Sequence, residues 1–345
     1  MSAPAFALPP ALEATAPPEA RGISRDGVRL MVAHTGSARV RHAAFNQLPD
    51  LLDPGDLVVV NVSATLPAAV VGTRGDGTPV RVHFATRAPG LDERWRTVEL
   101  RSADGGRPAR GRSGETIALP GAAGELTLVA PYASGSRLLL ARLHGPGTIE
   151  SLLTDHGEPI RYGYVAHPWP LSAYQNVYAT TPGSAEMPSA GRPFTHDLIT
   201  ALAARGIAIA PITLHTGVSS PERHEPPFPE EYAVAPDTAR LINATRSARG
   251  RVIAVGTTVV RALHTVARAD GTIVAGAGWT RTVIAAGDRV AAVDGLITGW
   301  HEPQASHLQM LAAIAGESTL RRSYREALDH RYLWHEFGDS HLILP

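Results

Sequence analysis

The sequence predicts a mixed α/β protein carrying an inserted all-β domain, and three observations support that prediction. The first is a set of three apolar runs that each end in a polar turn: Ile207-Ala-Ile-Ala-Pro-Ile-Thr-Leu-His215-Thr-Gly217, Val252-Ile-Ala-Val-Gly256-Thr-Thr258 and Leu296-Ile-Thr-Gly-Trp-His301. The second is that helical patterns border these runs. In α/β proteins ligands gather at the carboxyl ends of parallel strands, so His215, Thr257, Thr258 and His301 are expected to converge. The third is a change of texture between about Leu66 and His144, where short alternating runs are separated by Gly-rich turns and no helical period occurs. That texture marks a small antiparallel barrel or sandwich.

The elements follow in chain order. Met1 to Pro18 is rich in Ala and Pro but has no basic leader ahead of an apolar core, so it does not read as a secretory signal. Val28 to Val32 is a strand candidate, and Leu48 to Leu52 leads into the turn Pro54-Gly-Asp56. Leu57-Val-Val-Val60 then reads as a buried strand. The alternating runs Val80 to Phe84, Trp95 to Leu100, Glu115 to Leu119, Glu125 to Val129 and Leu138 to Leu143 make up the β insert. We place the insert at residues 65–155, inside an α/β domain built from 1–64 and 156–345. After a Pro/Tyr-rich passage, Thr195 is the expected N-cap of a helix with Leu198, Ile199 and Leu202 buried and Gly206 as its stop. A further helix follows Pro236 and ends near Gly250, and others are expected over Val259 to Ala267, Leu308 to Ile314 and Thr319 to Leu328.

Composition narrows the chemistry. At 345 residues and 44% hydrophobic content the chain can bury a full core. It has no cysteine, which removes disulfides, thiolate nucleophiles and cysteine metal sites. It also has no lysine, so Schiff-base chemistry and a phosphate-loop lysine are excluded. A formal net charge of zero means that a nucleic-acid partner would have to be held by a local patch. Arg321, Arg322, Arg325 and Arg331 could form such a patch, or a solvated helix face interleaved with Glu326 and Asp329. No apolar run nears the roughly 18 residues of a membrane span, so a soluble cytoplasmic protein is expected. The histidines lack the His-Glu helical spacing of zinc proteases, and no metal is expected.

Short motifs in order along nearly the whole chain are similar to those of the S-adenosylmethionine:tRNA ribosyltransferase-isomerases of queuosine biosynthesis. They run from Phe6 and Leu8-Pro9 through Pro54-Gly-Asp-Leu57, Asn61, Tyr174-Gln175, Pro188-Ser-Ala-Gly191 and Phe194-Thr195. They continue through Thr213-Leu-His215 with Gly217, Val252 to Thr258 with Arg261, Asp294 with Leu296-Ile-Thr298, His301 with Pro303, and Phe337-Gly-Asp339. The resemblance implies an incomplete α/β barrel with an inserted antiparallel β-barrel. It also implies transfer of the ribosyl part of S-adenosylmethionine to the aminomethyl group of a 7-deazaguanine base in tRNA, with release of adenine and methionine. No cofactor beyond S-adenosylmethionine, itself a co-substrate, is implied.

On this resemblance His301, His215 and Glu230 are the catalytic candidates. A strand-end histidine can take or give a proton near neutral pH. Glu230 follows a Pro-rich loop, Pro226 to Pro229, where the family has a His-containing segment ending in Glu. The substrate-binding candidates are Asn61, Tyr174, Ser189, Ala190, Gly191, Phe194, Thr195, Gly217, Gly256, Thr257, Thr258, Arg261, Asp294 and Asp339. Arg261 could hold a carboxylate in bidentate fashion beside the amides at the helix start, while Thr257 or Thr258 could equally serve as a helix cap.

The chain also departs from the family pattern. Asn61-Val62-Ser63-Ala64 stands where the family reads Asn-Asp-Thr-Arg, and Arg192-Pro193 stands where it reads Leu-His. Gly217-Val-Ser-Ser220 replaces Gly-x-Gly-Thr-Phe, and Gly299 replaces an Asn. Val and Ala cannot reproduce the bonds of Asp and Arg. Two alternatives therefore stand beside the family reaction: a paralogue that uses S-adenosylmethionine with a small-molecule acceptor or none, and a non-catalytic binding protein that keeps the fold.

Overall fold

The computed structural model describes residues 6–37, 39–121, 124–132, 137–218, 227–303 and 305–345. It opens with an antiparallel pair, β1 (Arg29–His34) and β2 (Val40–Ala44). β3 (Leu57–Asn61) is buried at every position, as its unbroken apolar run predicts, and the short β4 (Ser63–Thr65) follows.

Six strands come next: β5 (Ala69–Arg74), β6 (Pro79–Arg87), β7 (Trp95–Ser102), β8 (Thr116–Ala118), β9 (Glu125–Pro131) and β10 (Leu138–His144). They pair antiparallel in the order β10-β7-β6-β5-β8-β9, and β10 also pairs with β9, so the ladder closes on itself. Alternate residues such as Val82, Leu100, Leu126 and Leu128 fill the interior. Helix α1 (Ile149–His156), capped by Thr148, adds Ile149, Leu152 and Leu153 to the same core.

Beyond the barrel, β11 (Thr181–Ser184) pairs in parallel with β4. Helix α2 (His196–Ala204) begins where Thr195 Oγ1 accepts from Leu198 N at 3.1 Å. It stops at Gly206, whose φ of 75° suits a residue without a Cβ. The rest of the chain is β12 (Ala208–Leu214), β13 (Glu230–Val234), α3 (Pro236–Ser247), β14 (Val252–Val255), α4 (Thr257–Val266), β15 (Gly276–Thr280), β16 (Gly295–Gly299), α5 (His307–Ala315), α6 (Glu317–Asp329) and β17 (Ser340–Leu344).

These strands join β1, β2 and β3 in one nine-stranded sheet, ordered β15-β13-β12-β3-β14-β16-β17-β1-β2 and open at β15 and β2. Its centre, β12-β3-β14-β16, is parallel, so four carboxyl ends share one edge. The period-two alternation assigns each strand to both faces. Leu57, Val59, Val252, Ala254 and Leu296 pack with the helical layer that includes Leu263, Leu311 and Leu320. Val58, Val60, Ile253, Val255 and Ile297 pack against Phe45, Phe194, Leu198 and Leu202. Each fully buried Leu, Ile or Val is worth about 1.5–3 kcal/mol.

Candidate active site

A cavity of about 430 Å³ lies between the sheet edge and the barrel. The parallel strands supply Thr216 to Val218 after β12, Gly256 to Thr258 after β14, and Thr298 to His301 from the end of β16. The barrel adds Ala85, Thr86, Arg101 and Leu138, and the connecting segments add Tyr162, Tyr164, Tyr174 and Ala185 to Ala190. Of the predicted residues, His301, Glu230, Tyr174, Ser189, Ala190, Gly217, Gly256, Thr257, Thr258 and Arg261 all line it.

Gly256 makes the β14-to-α4 turn at a φ of 92°, and Thr257 is the first residue of α4. Gly256 is the N-cap and no side chain caps this helix, so the capping role considered for Thr257 or Thr258 is not taken up. The unsatisfied amides of this helix start therefore belong to the cavity wall.

Arg261 is 4% exposed. It pairs with Glu230 and donates to Phe228 O at 3.1 Å and Thr282 O at 3.2 Å. Glu230 in turn accepts from Gly217 N at 2.9 Å. Burial raises the Glu230 carboxyl against the opposing pull of Arg261. The partner inferred for Arg261 is thus a group of the protein itself.

His301 Nε2 lies 2.9 Å from Thr298 Oγ1, its backbone carbonyl accepts from Trp334 Nε1 at 3.1 Å, and its ring stacks on His307 at 4.7 Å. Burial, reinforced by His307, His341 and His335, holds His301 well below its usual value. His307 is pushed down to about 4, chiefly by burial. Both rings are neutral at pH 7, so each keeps an unprotonated nitrogen.

The remaining predicted residues do not line the cavity, for identifiable reasons. His215 turns toward β4 and β11, with Nδ1 2.7 Å from Ser63 Oγ and its ring against Gly183. It is therefore not among the residues that line the cavity with Thr257, Thr258 and His301. Asn61 spans β3 and β12, donating to Leu214 O at 2.8 Å and accepting from Leu214 N at 3.0 Å. Gly191 leaves room for Tyr178, whose hydroxyl lies 1.9 Å from where a Cβ would stand. Phe194 packs edge-on to Phe45, and Thr195 is the α2 cap. Asp294 accepts from Val252 N at 2.8 Å, at the amino end of β14 and so at the opposite sheet edge. Asp339 binds Arg29 through Nη2 at 2.7 Å and accepts from Leu333 N at 2.8 Å, tying β1 to the tail.

At the departures from the family pattern, Arg192 is 2% exposed and bonds to Ala173 O and Glu19 Oε2, both at 2.9 Å. Gly299 lines the cavity with space for a larger side chain, since no atom lies within 4 Å of an added Cβ. Val62 packs beside the sheet core. Ser219, Ser220 and Pro226 lie outside the described residues.

Sequence reasoning missed Tyr162, Tyr164, Glu186, Glu302, His307, His335 and Glu336, all on the cavity wall. Most sit on irregular segments where no periodicity marks them. The tyrosine-rich composition between Pro159 and Tyr178 was the available signal. Among the described residues His42, Glu326 and His330 bring three potential metal-donor atoms within 4.8 Å of one another. None of the three lines the cavity.

The family described as queuosine biosynthesis protein matches residues 1–343. The S-adenosylmethionine:tRNA ribosyltransferase-isomerase of Symbiobacterium thermophilum is 39% identical, covering 98% of each chain. That of Moorella thermoacetica is also 39% identical with 98% of each chain covered. Among solved structures, the crystal structure of S-adenosylmethionine tRNA ribosyltransferase from Thermotoga maritima superimposes with a TM-score of 0.54 at 28% identity, covering 99% of both chains.

Proposed function

The chain belongs to the queuosine biosynthesis family, and on that basis we propose that it is an S-adenosylmethionine:tRNA ribosyltransferase-isomerase. It transfers and rearranges the ribosyl part of S-adenosylmethionine onto the aminomethyl group of a 7-deazaguanine base in tRNA, giving epoxyqueuosine and releasing adenine and methionine. The observation that carries this reading at the site is the cavity in which the α4 start, the Arg261–Glu230 pair and a neutral His301 meet. Relatives that bear the tRNA enzyme's name match 98% of the chain, so neither the small-molecule acceptor nor the non-catalytic alternative is favoured.

The reaction needs a base for the acidified proton beside the sulfonium, help for departing adenine, and an anchor for the methionine carboxylate. His301, neutral and oriented by Thr298, takes the base role. The amides of Thr257 and Thr258 take the carboxylate, since that of Gly256 is bonded to Ile297 O. Arg261 is committed to Glu230 and holds that side chain in the wall. Glu230, ionised in its pair with Arg261 and bonded to Gly217 N, serves as an acceptor for the N–H groups of the leaving base.

The open nine-stranded sheet serves as the incomplete barrel of the family, residues 65–155 form a domain inserted into it, and the enzyme works on tRNA in the cytoplasm with no further cofactor. No helix among the described residues is long and apolar enough to cross a membrane. The test is adenine release from S-adenosylmethionine with and without tRNA carrying the 7-aminomethyl-7-deazaguanine precursor. Release that depends on the precursor tRNA is expected, and release indifferent to tRNA would overturn the acceptor.

A further inference from the structure

Away from the cavity, the edge strand β2 meets the carboxyl end of α6 and brings together two histidines and a glutamate. His42 stands on β2, while Glu326 and His330 are four residues apart at the end of α6, a spacing that puts both on one helix face. The three residues offer donor atoms within 4.8 Å of one another. The imidazole rings of His42 and His330 lie 4.3 Å apart, and His330 Nε2 is 3.4 Å from Glu326 Oε2. That last contact is longer than an ordinary N–H···O bond, so an ion shared by the two side chains can replace it. Both histidines are exposed and Glu326 is partly buried, which leaves the cluster open to water.

The surroundings favour an ion. Tyr332 is 1% exposed and holds its hydroxyl 2.8 Å from His42 Nδ1, which fixes where the ring stands. A hydrogen-bond partner on one ring nitrogen is the usual support for an imidazole that ligates a metal. Burial and the neighbouring His330 keep His42 below its ordinary value, so its ring is in the neutral, metal-binding form at pH 7. The carboxyl end of α6, where the helix dipole is negative, favours a cation. The nearby cation is Arg29, which lies over the Tyr332 ring at 4.3 Å. Its guanidinium is engaged by Asp339 Oδ2 at 2.7 Å and by His330 O at 2.8 Å.

We propose that His42, Glu326 and His330 form a surface site for a zinc-type divalent ion, with water completing its coordination. Two nitrogens and one carboxylate suit zinc, whereas magnesium and calcium take oxygen donors. Tetrahedral donors about 2.1 Å from zinc stand about 3.4 Å from one another, so rotation of the exposed side chains closes the site. The bound ion ties β2, at the open edge of the sheet, to α6 and stabilises the folded chain. It takes no part in the chemistry of the cavity, which none of the three residues lines. No sequence spacing marks the set, because His42 joins α6 from a distant strand.

The test titrates zinc chloride into the untagged full chain and into His42→Ala, His330→Ala and Glu326→Gln, and follows thermal unfolding with and without zinc. The three side chains lie at or near the surface, so melting temperatures without zinc should stay within a few degrees of the wild type. The wild type should bind one zinc ion per chain in this site, and each variant should bind it about tenfold or more weakly. Tyr332→Phe, which keeps the packing and removes the bond to His42, should weaken binding about tenfold. Zinc should raise the melting temperature of the wild type and leave that of His42→Ala/His330→Ala where it was, and magnesium should raise neither. Fifteen histidines in the chain make the difference between wild type and double variant the deciding reading. Zinc bound equally by both, or by neither, overturns the site.

Discussion

Arg261 on α4 and Glu230 on β13 form an ion pair in the cavity wall, with Arg261 almost fully enclosed. A buried pair gains little over an apolar one, but removing one partner strands the other charge at a cost of about 3–5 kcal/mol. Arg261→Ala should therefore destabilise the fold by roughly that amount in urea unfolding, and Glu230→Gln in the same background should recover part of it. Unfolding at the wild-type midpoint would show that Arg261 is free for a ligand after all.

His301 lines the cavity, and its ring stacks on His307. Its backbone carbonyl, and not its imidazole, holds Trp334. His301→Ala should leave the melting temperature within a few degrees of the wild type. Single-turnover adenine release should slow by about 10²–10⁴-fold, the usual yield of general base catalysis. Thr298→Val, which removes the hydroxyl 2.9 Å from Nε2, should produce a smaller loss in the same assay. Normal turnover in His301→Ala would reassign the base, with His307 next in line.

Thr195 was a binding candidate by its motif, and the structure makes it the α2 cap. Thr195→Ala should cost about 1 kcal/mol of stability. Calorimetric affinity for S-adenosylmethionine should be unchanged, and a fall in that affinity would restore the binding role.

The sequence made legible what local pattern determines. Leu57 to Val60 as a buried strand, Thr195 and Gly206 as helix punctuation, and the runs from Val80 to Leu143 all emerge within a few residues of the observed elements. β17 escaped because five buried residues at a chain end carry no turn signal beyond them, and β15, Gly-Ala-Gly-Trp-Thr, lacks β-branched residues before its last position. The strand-end rule named Gly256 to Thr258 and His301, which line the cavity. It failed for His215, whose ring direction is set by Ser63 and Gly183, far away in sequence. On the cavity wall, the bonds from Tyr162 to Glu186 and from Tyr164 to Glu336 join segments 24 and 172 residues apart, a relationship that only the fold creates.

Acid should unfold this protein earlier than its carboxylates alone would predict. Burial pushes His307 and His335 down to about 4 and His341 to about 3, from an ordinary value of 6.5. Between those values the unfolded chain binds protons that the folded one refuses, so stability is full above about pH 6.5 and is lost as pH falls toward 4 and below. Glu336, raised to about 7 by burial, acts in the opposite sense, because between about 4.5 and 7 the folded state holds the extra proton. Glu230 and Glu302 are raised as well, but His42, His215 and His301 are lowered with the other three histidines, and six imidazoles against three carboxyls leave the histidines dominant. The melting temperature should fall steadily from about pH 6.5 to 4.5. His341 offers the cleanest test, because its ring is fully buried, stacks on Trp300 at 4.8 Å and makes no hydrogen bond among the described residues. His341→Phe should keep the stack and flatten part of the pH slope, whereas an unaltered slope would mean that this imidazole takes up its proton without unfolding the chain.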